Sequence, residues 1–579
     1  MRIHRRIAVF ALFIIGSIAS VADATDAPKP ADLVVLRGRI ITLDPQEQVV
    51  EAMAVRDGRI VKLGSTREIA ELQGPTTQVV NLQGQSVVPG FIETHCHAVG
   101  VARDSVHNEY VELSSIAEIQ DWIRREAARK PPGTWIEVPR NEITRLRERR
   151  HPTPAEFDAA CTTHPVLYTS VTKHVFNSLG WKTIGVVDAI STVPAGEVLR
   201  NSGGEPVLLR GGSAHVRKFL TAPAVTRAET TAALEKVLAR YNEVGITHIF
   251  ERATDQEGLG LFRELKERGR LPVRVTGTFR FSPRTAEQVE TFVAKLGLRP
   301  REGDDWIKAG PLKITVDGGI HWGTTWLSEP YGPRRTEFYR NADPSYTGEK
   351  FYDLATMQTV FAAGNRLGWQ WSAHVTGDEG TRNVLAAVDA VAKEDPTIRE
   401  RRFTLIHSYF PAPDIVRKAA ELGVGVDTQG YLYYKDADTL NDVYGPAWAE
   451  RFLGLGAWAR AGVPVSINSD HMIGLNPDRA MNAFNPALML WIAVARKSEG
   501  GKVYGPEQRL SRLDALRSVT HWAAKLSFDE DKQGTLEPGK LADFVVLDGD
   551  YLTCPEDDIR RLKVLRTVVG GSTVFERRP

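Results

Sequence analysis

The residues best suited to chemistry begin with His95 and His97, which close the stretch VVPGFIETHCH from Val87 to His97. An apolar run that ends at a Pro-Gly step reads as a buried strand, and in a strand residues i and i+2 share a face. The two imidazoles can therefore reach one metal ion together, with Cys96 turned the other way. A His-x-His pair alone is a weak signal in a chain with 14 histidines. Further loaded residues stand at or near the ends of later apolar segments: Lys313 in LKITVDG, His374 in WQWSAH, His407 in RFTLIH and Asp470 in VPVSINSD. Neutral imidazoles with a carboxylate are the ligand set of zinc or a similar divalent ion, and one or two such ions per chain are expected. Cys96, Cys161 and Cys554 are too scattered to offer a sulfur-rich alternative or a disulfide framework.

These side chains can meet only if the elements carrying them are neighbours in space. Helical segments at Ser115 to Lys130, Ala228 to Gly245 and Asp353 to Gly368 place apolar residues three and four apart, and the last two end on glycine. Between and after them THIFER, PVRVTGTF, LKITVDG, WQWSAH, RFTLIH, GVGVDTQ and VPVSINSD read as strands. With the His95 strand they make eight, the number that closes a (β/α)8 barrel of the TIM type. In such a barrel the carboxyl ends of the strands share one face, where His95, His97, Lys313, His374, His407 and Asp470 would converge. An open doubly wound sheet is the alternative.

The predicted fold class is α/β, with the barrel spanning 89–531 and an inserted subdomain around 98–245, where TWIEV and PVLYTSV supply extra strands. A small β-sandwich module is expected from both chain ends, 25–88 and 532–579, because ADLVVLRG at Ala31 to Gly38 is nearly repeated by ADFVVLDG at Ala542 to Gly549. The aromatic-rich stretch from Ile320 to Tyr352 reads as a long loop at the functional end of its strand, either a substrate wall or surface packing.

At the start of the chain Arg2, Arg5 and Arg6 precede the apolar IAVFALFIIGSIASV, and Ala22-Asp23-Ala24 follows as a small-residue site. These are the parts of a secretory signal peptide over 1–24, with cleavage expected after Ala24 and a periplasmic or secreted destination. No later segment reads as membrane-spanning. Removing the peptide takes away three Arg and one Asp, which moves the formal charge from +1 to −1 and leaves no basic field for nucleic acid. The expected partner is a small-molecule substrate; a homodimer is left open.

The motifs FIETHCH, LKITVDGG, SAHVTGD, LIHSYF and INSD, in this order, resemble the amidohydrolase superfamily, within it the subgroup that includes N-substituted formamide deformylase. The resemblance implies that His95 and His97 hold the more buried of two metals, that Lys313, carboxylated on its amine, bridges them, and that His374 and His407 hold the second. It implies that Asp470 binds the first metal and carries the proton during catalysis. The chain departs from the pattern where Ile406 stands in place of the acidic residue usual before that histidine, and where DGGIHWGTTWL follows the lysine strand. His321 and Trp322 in that segment are therefore candidate substrate contacts, and His174 in SVTKHVFNS is another. Glu251, ending THIFER, either faces the site or forms a buried ion pair with a neighbouring arginine, and His471 reads as structural or as support for the ligands.

The expected reaction is hydrolysis of a C–N amide-type bond by metal-activated hydroxide, with Asp470 as acid-base residue and His407 or His321 stabilising the oxyanion. Deamination, lactone hydrolysis or decarboxylation would use a similar site. A non-catalytic exported binding protein is the rival from another class.

Overall fold

Eight strands carry the fold: β1 (Phe91–Cys96), β2 (Ile246–Thr254), β3 (Arg274–Arg280), β4 (Ile307–Thr315), β5 (Trp371–Val375), β6 (Thr404–His407), β7 (Gly425–Gln429) and β8 (Val465–Asn468). They correspond to the eight strands read from the sequence. The structure is a computed structural model describing residues 29–220, 223–341 and 343–578; the expected signal peptide at 1–24 lies outside the described residues. All neighbouring pairs run parallel in the order of the sequence, and the sheet curls until β8 meets β1. There Cys96 bridges His471 and the His97 N–H donates to the His471 carbonyl at 2.9 Å. The architecture is a (β/α)8 barrel with a sandwich-like module, and the open-sheet alternative falls away.

The helices form where caps and apolar spacing agree. The helix Arg227–Glu243 starts in a capping box between Thr226 and Glu229 and buries Leu234, Val237, Leu238 and Tyr241. It gives way to β2 at Gly245, which has φ 87°. A Cβ there would lie 2.8 Å from the Phe91 ring and 2.9 Å from Val545, so glycine is needed both for conformation and for space. The helices Ile116–Arg129 and Leu354–Arg366 begin on side-chain caps from Ser115 and Asp353.

Two further bodies sit on the barrel. A four-stranded and a six-stranded sheet pack face to face around Leu33, Val35, Met53, Phe544, Val546 and Val568. The strands Leu33–Leu36 and Phe544–Leu547, alike in sequence, lie one in each sheet, and Phe544–Leu547 pairs antiparallel with Ser86–Pro89. The outward residues Val545 and Leu547 join the barrel core, and Arg274 clasps Asp543 through two hydrogen bonds of 2.6 and 2.8 Å. Between β1 and the helix Arg227–Glu243 the chain builds a separate five-stranded sheet with its own apolar cores.

His248 on β2 fastens the C-terminal segment to the barrel. Its Nδ1 accepts from Gln533 at 2.8 Å, so its Nε2–H donates to Thr276 at 2.9 Å. Burial lowers its pKa from 6.5 to about 4. The fold holds the neutral ring while the unfolded chain takes a proton, so this contribution is complete above pH 6.5 and is lost as pH falls toward 4. His248→Gln is therefore expected to flatten the acid side of the stability curve by about 1.4 kcal/mol per pH unit between those limits. Urea unfolding at a series of pH values checks this, and parallel curves for the two proteins would assign the acid sensitivity elsewhere.

Candidate metal centre

The carboxyl ends of the strands bring the expected residues into one cluster. His95 Nε2 and His97 Nε2 each stand 3.4 Å from Asp470 Oδ1. Lys313 Nζ is 3.5 Å from His95 Nε2. The His95 and His407 rings have centroids 5.4 Å apart, and His407 Nε2 meets His374 Nδ1 at 2.7 Å. His95 is 1% exposed, whereas His97 is 25% and Asp470 16% exposed, so the cluster opens toward solvent on the His97 side.

Three donor atoms within 4.8 Å of one another, from His95, His97 and Asp470, suit a divalent cation. Their bonding supports the fit: Asp470 Oδ1 is buried and accepts no hydrogen bond among the described residues, which is costly for a carboxylate oxygen without a cation beside it. Burial opposes ionisation of Asp470, but His97, His407 and Lys313 outweigh it and hold the carboxyl below its ordinary pKa. Burial keeps the His95 and His374 imidazoles neutral, far below their usual range, and lowers His407 to about 4. Neutral imidazole and ionised carboxylate are the forms that bind metal.

His374 and His407 are engaged with each other. His374 Nε2–H donates to the Gly318 carbonyl at 2.9 Å, which leaves its Nδ1 as acceptor for His407 Nε2–H. His407 Nδ1 in turn accepts from Gln429 Nε2 at 2.5 Å. A second cation would have to replace the hydrogen bond between the two rings. Lys313 lies 4% exposed, and burial brings its pKa down to about 7.

Several supporting residues were not singled out from sequence. Glu93 accepts from the His95 N–H at 3.0 Å and from the Ser469 N–H at 3.2 Å, which ties the two ligand-bearing segments together. Burial pushes its pKa up to about 8. Its position two residues before His95, on the same strand face, was the available signal. Asp317 accepts from the N–H groups of Thr376, Gly377 and Trp326 and fixes the chain just beyond His374. Asp470 sits in left-handed conformation at φ 51°, and Asn482 Nδ2 donates to its carbonyl at 2.9 Å. Arg145 of the insert donates to Asn482 Oδ1 at 3.3 Å and pairs with Asp436.

The remaining candidates take other places. Glu251 accepts from the Ala98 N–H at 2.7 Å, at the start of the helix that follows His97, while the neighbouring Arg252 pairs with Asp427. His321 Nε2 bonds Asp436 at 2.9 Å, and Trp322 lies against the insert, its indole N–H 3.4 Å from Glu142. His174 is held inside the insert by Thr169 and Ser213, and it is the adjacent Lys173 that reaches the Trp322 carbonyl. His471 bonds Tyr241 and the Gly474 carbonyl, which makes it a brace of the turn after Asp470.

A parallel barrel with histidines, a lysine and an aspartate gathered at its carboxyl face has the layout of a barrel enzyme with a metal-binding site. A profile of the amidohydrolase family matches residues 78–575, and the chain belongs to that family. It is 25% identical over 560 residues to N-substituted formamide deformylase of Arthrobacter pascens, covering 94% of this chain and 98% of the relative. It is also 25% identical to protein LONG AFTER FAR-RED 3 of Arabidopsis thaliana, covering 94% and 92% of the two chains. Among solved structures it resembles a metal-dependent hydrolase of Pyrococcus furiosus, with a TM-score of 0.64, 21% identity and 90% and 100% coverage.

His95→Ala and His97→Ala should each lose most of the divalent ion carried by the purified protein, as read by elemental analysis. Chelation should lower the melting temperature, because an ion held only by the folded state adds to stability. Unchanged metal content in either variant would remove these histidines as ligands.

Proposed function

We propose that this hydrolase cleaves a C–N amide-type bond of a small molecule at a divalent cation, zinc by its ligand set, held by His95, His97 and Asp470. The observation that carries this is the meeting of those three donors around the unpaired Asp470 Oδ1. A bound divalent ion supplies Lewis acidity, lowering the pKa of water from about 16 toward about 7 and polarising the carbonyl. The protein's own part is the handling of protons. Asp470, ionised at neutral pH, takes a proton as the water oxygen bonds to the carbonyl carbon and returns one to the nitrogen as the C–N bond breaks. With a single cation bound, His407, whose Nε2 carries hydrogen in this network, would turn that N–H from His374 to the developing oxyanion.

Lys313 enters as a carbamate in this reading. An amine with a pKa near 7 is about half neutral at pH 7, and the neutral amine is the form that adds carbon dioxide. The product would be a carboxylate-like group beside His95; together with His374 and His407 it would hold a second cation, His407 then serving as a ligand in place of oxyanion donor. The charged, apolar and small-residue segments of 1–24 support export to the periplasm or beyond. No described helix is long and apolar enough to cross a membrane.

Asp470→Asn separates the catalytic from the structural role. The amide keeps an oxygen for the cation but cannot shuttle a proton, so kcat should fall by about 10² to 10⁴ with the melting temperature largely retained. A near-normal kcat in the metal-loaded variant, measured as amine release from N-acyl compounds, would take Asp470 out of the mechanism. Lys313→Ala should be inactive and partly restored by short carboxylates; full activity without them would exclude the carbamate.

A further inference from the structure

One cation at the barrel mouth has no counterpart in the site described so far. Arg280 ends β3, and its backbone is in register with Lys313 on β4. The alternation along β3 is regular up to this point: the extra residues at its borders belong to β2, near Ala253, and to β4, between Ala309 and Leu312. Phe279 and Leu312, the preceding pair in register, are both fully buried in the core outside the barrel. Arg280 and Lys313 therefore take the inner face together. Two residues earlier Thr278 shows the same orientation, its hydroxyl 3.5 Å from Arg252 in the barrel interior.

The two inward arginines differ in their partners. Arg252 is buried and paired with Asp427 at 2.6 Å. Arg280 is exposed, and its guanidinium makes neither a hydrogen bond nor an ion pair with any described residue. Its charge bears on both Lys313 and His374. A guanidinium stays charged at all working pH values and offers a planar fork of N–H donors that matches a carboxylate. An unpaired positive charge beside a cation site disfavours the cation, a penalty that an arriving anion removes.

We infer that Arg280 anchors a carboxylate carried by the substrate, so that the preferred substrates of this site are small amides bearing an anionic group. This rests on the amide-hydrolase reading above. The matched probes are N-formylglycine and its neutral N-methylamide, each followed by formate release with the metal-loaded enzyme. Wild type should favour the carboxylate, and Arg280→Met should raise KM for N-formylglycine about 10- to 100-fold while changing the N-methylamide less than twofold. Arg280→Lys should restore part of the loss. Equal losses on both probes, or loss of metal from Arg280→Met, would overturn the inference and make the Lys313 carbamate the partner of Arg280. If wild type releases formate from neither probe, these formamides are not turned over, and calorimetric binding of N-formylglycine decides the subsite by itself. A Kd raised tenfold or more in Arg280→Met supports the anchor; an unchanged Kd, or no binding to wild type, refutes it.

Discussion

Everything at the active face depends on the closure of the barrel between β8 and β1. The candidate ligands come from both sides of that seam: His95 and His97 at the end of the first strand, Asp470 just past the end of the last. The seam is short of ordinary ladder bonds. It is held by the His97 N–H to the His471 carbonyl and by the Glu93 carboxyl group, which accepts from Ser469 across 376 residues of sequence. A buried carboxyl oxygen used as a main-chain acceptor is worth more than a surface hydrogen bond because no water competes for it. Slippage of one residue at this junction would turn Asp470 away from both imidazoles.

Below the ligands a layer of buried charge does a related job. Asp427 on β7 receives Arg252 from β2, Thr94 from β1 and the Asn468 amide from β8, while Arg252 also donates to the Thr94 carbonyl. Four strands are thus tied at one level, immediately under His95. Replacing such a pair with apolar groups need not cost stability, but removing one partner strands a charge and costs about 3–5 kcal/mol. The arrangement is better understood as fixing where the ligand strands stand than as a source of stability.

The eight strands and the barrel were legible because the strands are short, mainly apolar runs, and five of them end at or near a histidine, lysine or aspartate. The His-Cys-His spacing carried its own geometry, and Gly245 marked the end of its helix. Lys313 as a ligand came only from family resemblance, since a protonated ammonium repels cations; its burial and lowered pKa emerged with the fold. Asp317 and Asn482 were not legible as supports, and Glu93 only through its place two residues before His95, because their partners are main-chain groups brought near by tertiary structure. His174 and Lys173 show the limit most plainly. Adjacent residues of one strand face opposite ways, and only the register of the inserted sheet decides which reaches the barrel loop.

The insert packs against the carboxyl face of the barrel and braces the turn that carries Asp470. The turn after Asp470 is gripped from that side at three points: Tyr110 packs on Gly474, Arg140 reaches the Met472 sulfur, and Arg145 holds the Met481 carbonyl and the Asn482 amide that in turn holds Asp470. Asp470 is left-handed, a conformation disfavoured for a residue with a Cβ, so outside forces must maintain it. Arg145 can supply them because it is itself fixed by Asp436, and the other oxygen contacts of Asp436 are Thr144 and His321. One buried carboxylate therefore joins the loop after the lysine strand, the insert and the aspartate turn. His321 and Asp470 are thus linked through three hydrogen-bonded residues, Asp436, Arg145 and Asn482, so the loop after the lysine strand and the aspartate turn are braced against one another.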